Sequence, residues 1–160
     1  MSTESLINTM EKLLKLHQSL YELSTKKTDI VIKGDMDALN QIIKDEQAHI
    51  AAINKFENER QKFAEAHLPG VNHPSLSDCL EVVGGTHKET LNRLRTELLV
   101  VVTQIKDKNE LNQQMIYQSL QFVKLSLHLF APQPEDFNYG PTAGKTSEQG
   151  QALGLFNSKV

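Results

Sequence analysis

Tryptophan is absent from this 160-residue chain, and aromatic residues make up only 6% of it. Hydrophobic content is 39%, lean for a globular domain, which excludes a thick core and fits helices that each bury one stripe. The single cysteine, Cys79, excludes an internal disulfide. The 17 basic and 20 acidic residues are spread along the chain for a net charge of -3. With no basic patch to neutralise phosphates, nucleic acid is not an expected partner. The longest unbroken apolar run is Leu98-Leu99-Val100-Val101-Val102, far short of the ~20 residues that span a bilayer. Met1-Ser2-Thr3-Glu4-Ser5 lacks the positive start and apolar run of a secretory signal. No membrane insertion and a cytoplasmic location are therefore expected.

What is present is helical periodicity. From Thr86 to Phe130 no Gly or Pro occurs. Leu91, Leu94, Leu98, Val102, Ile105, Asn109, Asn112, Ile116, Leu120, Val123, Leu127 and Phe130 advance by threes and fours, the spacing of one helical face. A helix of this length is a rod of roughly 65 Å, suited to an elongated bundle, and the preceding segments are expected to cover its stripe. Thr86-His87-Lys88-Glu89 fits a capping box at its start. Pro132 and Pro134 stop it. One passage argues otherwise: Leu125-Ser126-Leu127-His128-Leu129 alternates like a half-buried strand, but it has no strand to pair with, so a helix is expected.

Earlier in the chain, Leu6, Leu13, Leu20 and Lys27 sit seven apart, as do Leu16, Leu23 and Ile30. Leu14 and Tyr21 widen this heptad-like seam, which predicts a helix over residues 5–33 with two neighbours. Lys33-Gly34-Asp35 reads as a turn, with Gly34 closing one helix and Asp35 capping the next. A hairpin follows from so short a link, and a helix bent at Gly34 is the competing reading. The second helix covers residues 36–66, with Leu39, Ile42, Ile43, Ile50, Ile53, Phe56 and Phe63 on its apolar face. Glu46, His49 and Arg60 interrupt that face, and Asp45-Glu46 and Glu57-Glu59-Arg60 read as solvated. Leu68 to Pro74 is a loop. Ser75-Leu76-Ser77-Asp78 caps a short helix over 76–83, and Gly84-Gly85 separates it from the rod over 87–131. The expected fold is all-α: an elongated, antiparallel, coiled-coil-like helical bundle of three long helices and one short one, occupying residues 1–131.

Residues 132–160 hold three prolines, four glycines and no periodicity. A flexible C-terminal tail, disordered when alone, is expected there. It still carries Phe137, Tyr139, Leu153, Leu155 and Phe156.

Enzyme motifs are missing. Gly84-Gly85 lacks the pattern of a phosphate loop, and neither HExxH nor paired CxxC occurs. His67, His73, Asp78 and Cys79 cluster around the loop without zinc-ligand spacing. Cys79 near a helix start reads as a small buried side chain rather than a nucleophile. His17 and His49 fall on helices that face each other and can meet at the seam. No enzyme, catalytic residue, metal or cofactor is expected. Asn109 and Asn112 are more informative. Both lie on the rod's apolar face, where a buried amide satisfied in only one alignment fixes register.

The stretch Leu111-Asn112-Gln113-Gln114-Met115, with Asn109 before it, resembles the Asn-rich centre of flagellar export chaperones of the FlgN type. Tyr139-Gly140, with Gly144 after, resembles the family's post-helical element. Leu13-Leu14-Lys15-Leu16-His17 and Lys33-Gly34-Asp35-Met36-Asp37-Ala38-Leu39 resemble its first hairpin. The likeness covers most of residues 5–144. It implies a cytosolic chaperone of flagellar type III secretion that holds hook-associated proteins, masks their assembly-prone terminal helices and delivers them to the export gate. It also implies that Tyr139, with Gly140, docks on the gate's cytosolic domain.

The residues permit such a mechanism by themselves. A cargo helix can lie on Leu120, Val123, Leu127 and Phe130, where the rod outlasts its partners, with Phe137, Leu153, Leu155 and Phe156 clasping it. A monomer or weak dimer is then expected. The alternative is a structural coiled-coil protein that self-assembles through the 91–130 face. A hydrolase or metalloprotein using the His67–Cys79 region is a third reading.

Overall fold

A computed structural model describes residues 2–130. They form four helices: α1 (Thr3–Lys33), α2 (Met36–His67), α3 (Leu76–Val82) and α4 (Gly85–Phe130). No strand occurs among the described residues, and the alternating Leu125–Leu129 passage is helical.

Local chemistry explains most boundaries. Ser2 starts α1 by accepting the Ser5 N–H at 3.2 Å. At the far end Gly34 takes φ 70°, a left-handed conformation easy for glycine. Its N–H donates to the Ile30 and Val31 carbonyls, and the Asp35 N–H donates to Ile30. Asp35 then caps α2 by accepting the Ala38 N–H at 3.0 Å. The link is therefore a hairpin and not a bend. Partner numbers confirm the antiparallel return, since Lys27 pairs with Glu46 at 3.0 Å while Ser19 bonds His49 at 2.8 Å. The Lys27–Glu46 pair accounts for the polar position in the heptad row of α1, and it is part-buried, which corrects the solvated reading of Glu46.

Ser75 and Asp78 make a reciprocal capping box that opens α3. The box expected at Thr86 does not form. The helix begins one residue earlier, at Gly85 with φ 64°, so Thr86 is already in helical backbone and cannot act as a cap.

Helix α4 runs parallel to α1, because Ser24 reaches Asn109 and Thr28 reaches Asn112. The long helices thus go up, down and up. α1 packs against both α2 and α4, whereas α2 and α4 bring no pair of Cα atoms within 8 Å. This corrects the expectation that the preceding segments all cover the rod: α1 is the shared wall, and α2 covers α1. α1 thus has two neighbours, as the breadth of its apolar stripe predicts.

The core is densest where α3 closes the lower end. Leu6, Met10 and Leu13 of α1 meet Phe63 and Ala64 of α2, Cys79 of α3, and Leu91 and Leu94 of α4, all buried. Each such leucine removed from water contributes roughly 1.5–3 kcal/mol. Arg60 is buried here too, which corrects its solvated reading. Its Nε donates to Glu57 at 2.9 Å, while Nη1 is buried with no partner. A long aliphatic stem lets an arginine line an apolar wall that a shorter charge could not.

Candidate binding site at the free end of the last helix

The site is built by a difference in helix length. Thr28 meets Asn112 with Oγ1 donating to Oδ1 at 2.6 Å, and α1 ends five residues later at Lys33. Counting the same distance along α4, its covering helix runs out near residue 117. No described residue after Asn112 is buried. Leu120, Val123, Leu127 and Phe130 are between 51% and 84% exposed. They continue the face that carries Leu91, Leu94, Leu98 and Ile105 into the core, so the seam goes on after the partner stops.

A second group was not legible as a site in the sequence. Phe122, Leu125 and Leu129 are 56–69% exposed. Successive helical residues are separated by about 100°, so they lie roughly 150° round the helix from the first face. The signal was the alternation at 125–129. In a helix, neighbours two apart fall on nearly opposite sides, so a strand-like rhythm produces a rod apolar on two faces.

Just below the free end lies a polar layer. Asn112 is 1% exposed; its Nδ2 donates to the Ser24 carbonyl at 2.9 Å and its Oδ1 accepts from Thr28. Ser24 Oγ donates to Asn109 Oδ1 at 3.2 Å. Both asparagines therefore engage α1, and the buried amide is satisfied at two of its atoms. Each bond holds only in this alignment of α1 and α4.

The other candidate groups stay apart. His17 is buried, bonds the Leu13 carbonyl at 2.7 Å, and is held below its ordinary value by that burial. His49 bonds Ser19 and the Asp45 carbonyl, so the two histidines each find other partners. His67 stacks on Phe63 with ring centroids 4.0 Å apart. Burial pushes the Cys79 thiol up, away from the thiolate that a nucleophile requires. Among the described residues, no three His, Cys, Asp or Glu side chains gather to hold a metal, and no helix is long and apolar enough to cross a membrane. Phe137, Tyr139, Gly140, Leu153, Leu155 and Phe156 lie outside the described residues.

Comparison with known proteins gives one family and one relative. A family model described as FlgN protein matches residues 1–147. The sequence is 31% identical over 160 residues, covering the whole of both chains, to a Bacillus subtilis (strain 168) protein carrying the name "Uncharacterized protein YvyG". No solved structure matches the chain.

Proposed function

Because the chain belongs to the FlgN family of flagellar export chaperones, we propose that it works in the cytoplasm by holding hook-associated proteins before their secretion. One observation supports this most directly: the core-facing stripe of α4 continues past the end of α1 as exposed Leu120, Val123, Leu127 and Phe130. A cargo helix laid on that stripe takes the position α1 holds lower down, so the bundle's own packing geometry is reused for a second chain.

The chemistry fits a holding role. A helix destined for filament assembly carries an apolar seam that associates prematurely unless covered. The free end of α4 offers anchors every three to four residues and only one charged side chain after Asn112, Lys124. Phe137, Leu153, Leu155 and Phe156 add a clasp, and part of the interaction energy is spent on ordering them, which keeps release possible. Asn109 and Asn112 hold α4 in register on α1, so the free stripe is presented at a fixed height. Tyr139 and Gly140 then serve docking on the cytosolic domain of the export gate.

Calorimetry with the terminal helical segment of a hook-associated protein tests the reading. The full chain is expected to bind it. Leu120→Glu with Leu127→Glu should weaken binding by about 100-fold or more, given what two buried anchors contribute, at unchanged melting temperature. Full affinity in that double variant would move the site elsewhere. Removal of residues 132–160 should abolish binding while leaving helical content intact. Tyr139→Ala should spare cargo binding and reduce secretion of hook-associated proteins.

A further inference from the structure

The place where α1 stops has a floor as well as a wall. Thr28 meets Asn112, and one turn further along each helix Ile32 and Ile116 fall at the same level. Ile116 is half-buried, but Ile32 is 67% exposed, and Met36, across the Gly34-Asp35 link, is 63% exposed. Turn tips normally carry polar side chains. This one exposes two large apolar ones just below the free stripe of Leu120, Val123, Leu127 and Phe130.

The tip also has an electrical sign. The Gly34 and Asp35 N–H groups take the Ile30 and Val31 carbonyls, while those of Ile32 and Lys33 accept no backbone bond among the described residues. They form the negative end of the α1 dipole. Residues 29–37 add three acids, Asp29, Asp35 and Asp37, against one base, Lys33. Asp35 is engaged by the Ala38 N–H, and together with Asp37 it offsets the positive end of α2 beside it.

We propose that this tip is the end stop of the groove and sets the direction of its occupant. An amphipathic helix of about four turns stands with its N-terminal end over Ile32 and Met36 and runs parallel to α4, continuing the line of α1. The inference rests on the chaperone reading of the α4 stripe and adds to it a direction, a length and a floor. Two observations choose this occupant. The α1–α4 seam is continuous through the step: the Ser24–Asn109 and Thr28–Asn112 contacts lead on to Ile116, Leu120 and Val123. What lies above α1 therefore needs a helical apolar stripe like that of α1. The tip is negative on balance, which suits the free N–H groups and positive dipole end of an arriving helix and repels its C-terminal carbonyls. From residue 117 to Phe130 the stripe rises roughly 20 Å at ~1.5 Å per residue, which sets the length.

Cross-linking tests the direction, with the terminal helical segment of a hook-associated protein as probe. The segment carries one cysteine, at the N-terminal or at the C-terminal end of its helix. Met36→Cys and Ser126→Cys are made separately in the full chain, where Cys79 is fully buried. Under mild oxidation the N-terminal version should couple to Met36→Cys and the C-terminal version to Ser126→Cys. The opposite pairing, or equal coupling of both versions at both sites, overturns the proposal. In calorimetry, Ile32→Gln with Met36→Gln should weaken binding by about 10-fold at unchanged melting temperature, and full affinity overturns the floor. Asp37→Lys should weaken binding about 3-fold at low salt and less at high salt; tighter binding overturns the direction. Loss of binding in Leu120→Glu with Leu127→Glu beside full affinity in the tip variants defeats this inference alone. Full affinity in Leu120→Glu with Leu127→Glu defeats the reading of the stripe itself.

Discussion

The lower and upper parts of α4 are one helix with inverted surroundings. Residues 85–112 carry nine Asp, Glu, Lys and Arg side chains, yet they supply every buried residue of the helix. Residues 113–130 carry one charge and supply none. Burial in the lower part follows the usual arrangement, an apolar stripe inward and charge outward. The upper part has apolar side chains on two faces and no described neighbour for either. Composition alone would have placed the core at the wrong end. What decides is where α1 stops, so among the described residues the upper part finds no cover from α1 or α2.

Substitutions can break this contrast, beginning with the largest effect. Leu94→Ala, in the lower part where Leu94 is 2% exposed, should cost ~2–5 kcal/mol in urea unfolding. The same change at Leu127 should stay within about 0.5 kcal/mol. Equal costs would mean that the upper part is packed after all. Next comes the polar layer at the boundary. Asn112→Ala removes the amide's bonds to the Ser24 carbonyl and the Thr28 hydroxyl, which keep their own 3.2 Å bond to each other, and should cost roughly 1–3 kcal/mol. A double-mutant cycle with Thr28→Ala should recover part of that loss, and purely additive effects would separate the two side chains energetically. Ser75→Ala removes the cap that starts α3 and should cost about 1 kcal/mol, since it loosens the lid under the packed end without opening it.

The smallest effect is a pH slope confined to the packed part. Burial holds the His17 imidazole below its ordinary 6.5, so the unfolded chain binds a proton more readily than the folded one. Stability from the neutral ring is complete above that value and is lost as pH falls through it towards the folded value. Melting temperature should therefore drop between pH 7 and pH 5, and His17→Gln should flatten part of that drop. An unchanged slope would remove His17 from the linkage.

Much of the fold is visible in the residues because local signals agree. The Gly34-Asp35 turn, the Ser75–Asp78 box and the paired heptad rows of α1 each state their geometry within a few positions. The identity of neighbours is less legible. A periodic stripe says that a face is buried but not against what, which is why the rod looked like the hub when α1 is. Thr86 was a plausible cap by type, but Gly84-Gly85 lets the backbone enter the helix sooner. At the site, the first face could be followed from Leu91 to Phe130 by spacing. The second was hidden because Leu125, Leu127 and Leu129 alternate between faces, and alternation is the mark of a strand. No local rule gave the end of α1 against α4; that register lives in Thr28 and Asn112, 84 residues apart.

That separation has a consequence during synthesis. The α1–α2 hairpin closes on a two-residue link and is complete once His67 has left the ribosome. The side of α1 that Leu91, Leu94, Leu98 and Ile105 will occupy has no tenant at that moment. Local contacts form early and distant ones late, so the newborn chain waits for about forty more residues with a bare greasy flank. A chain proposed to shield such flanks on others thus passes through a stage in which it displays one itself.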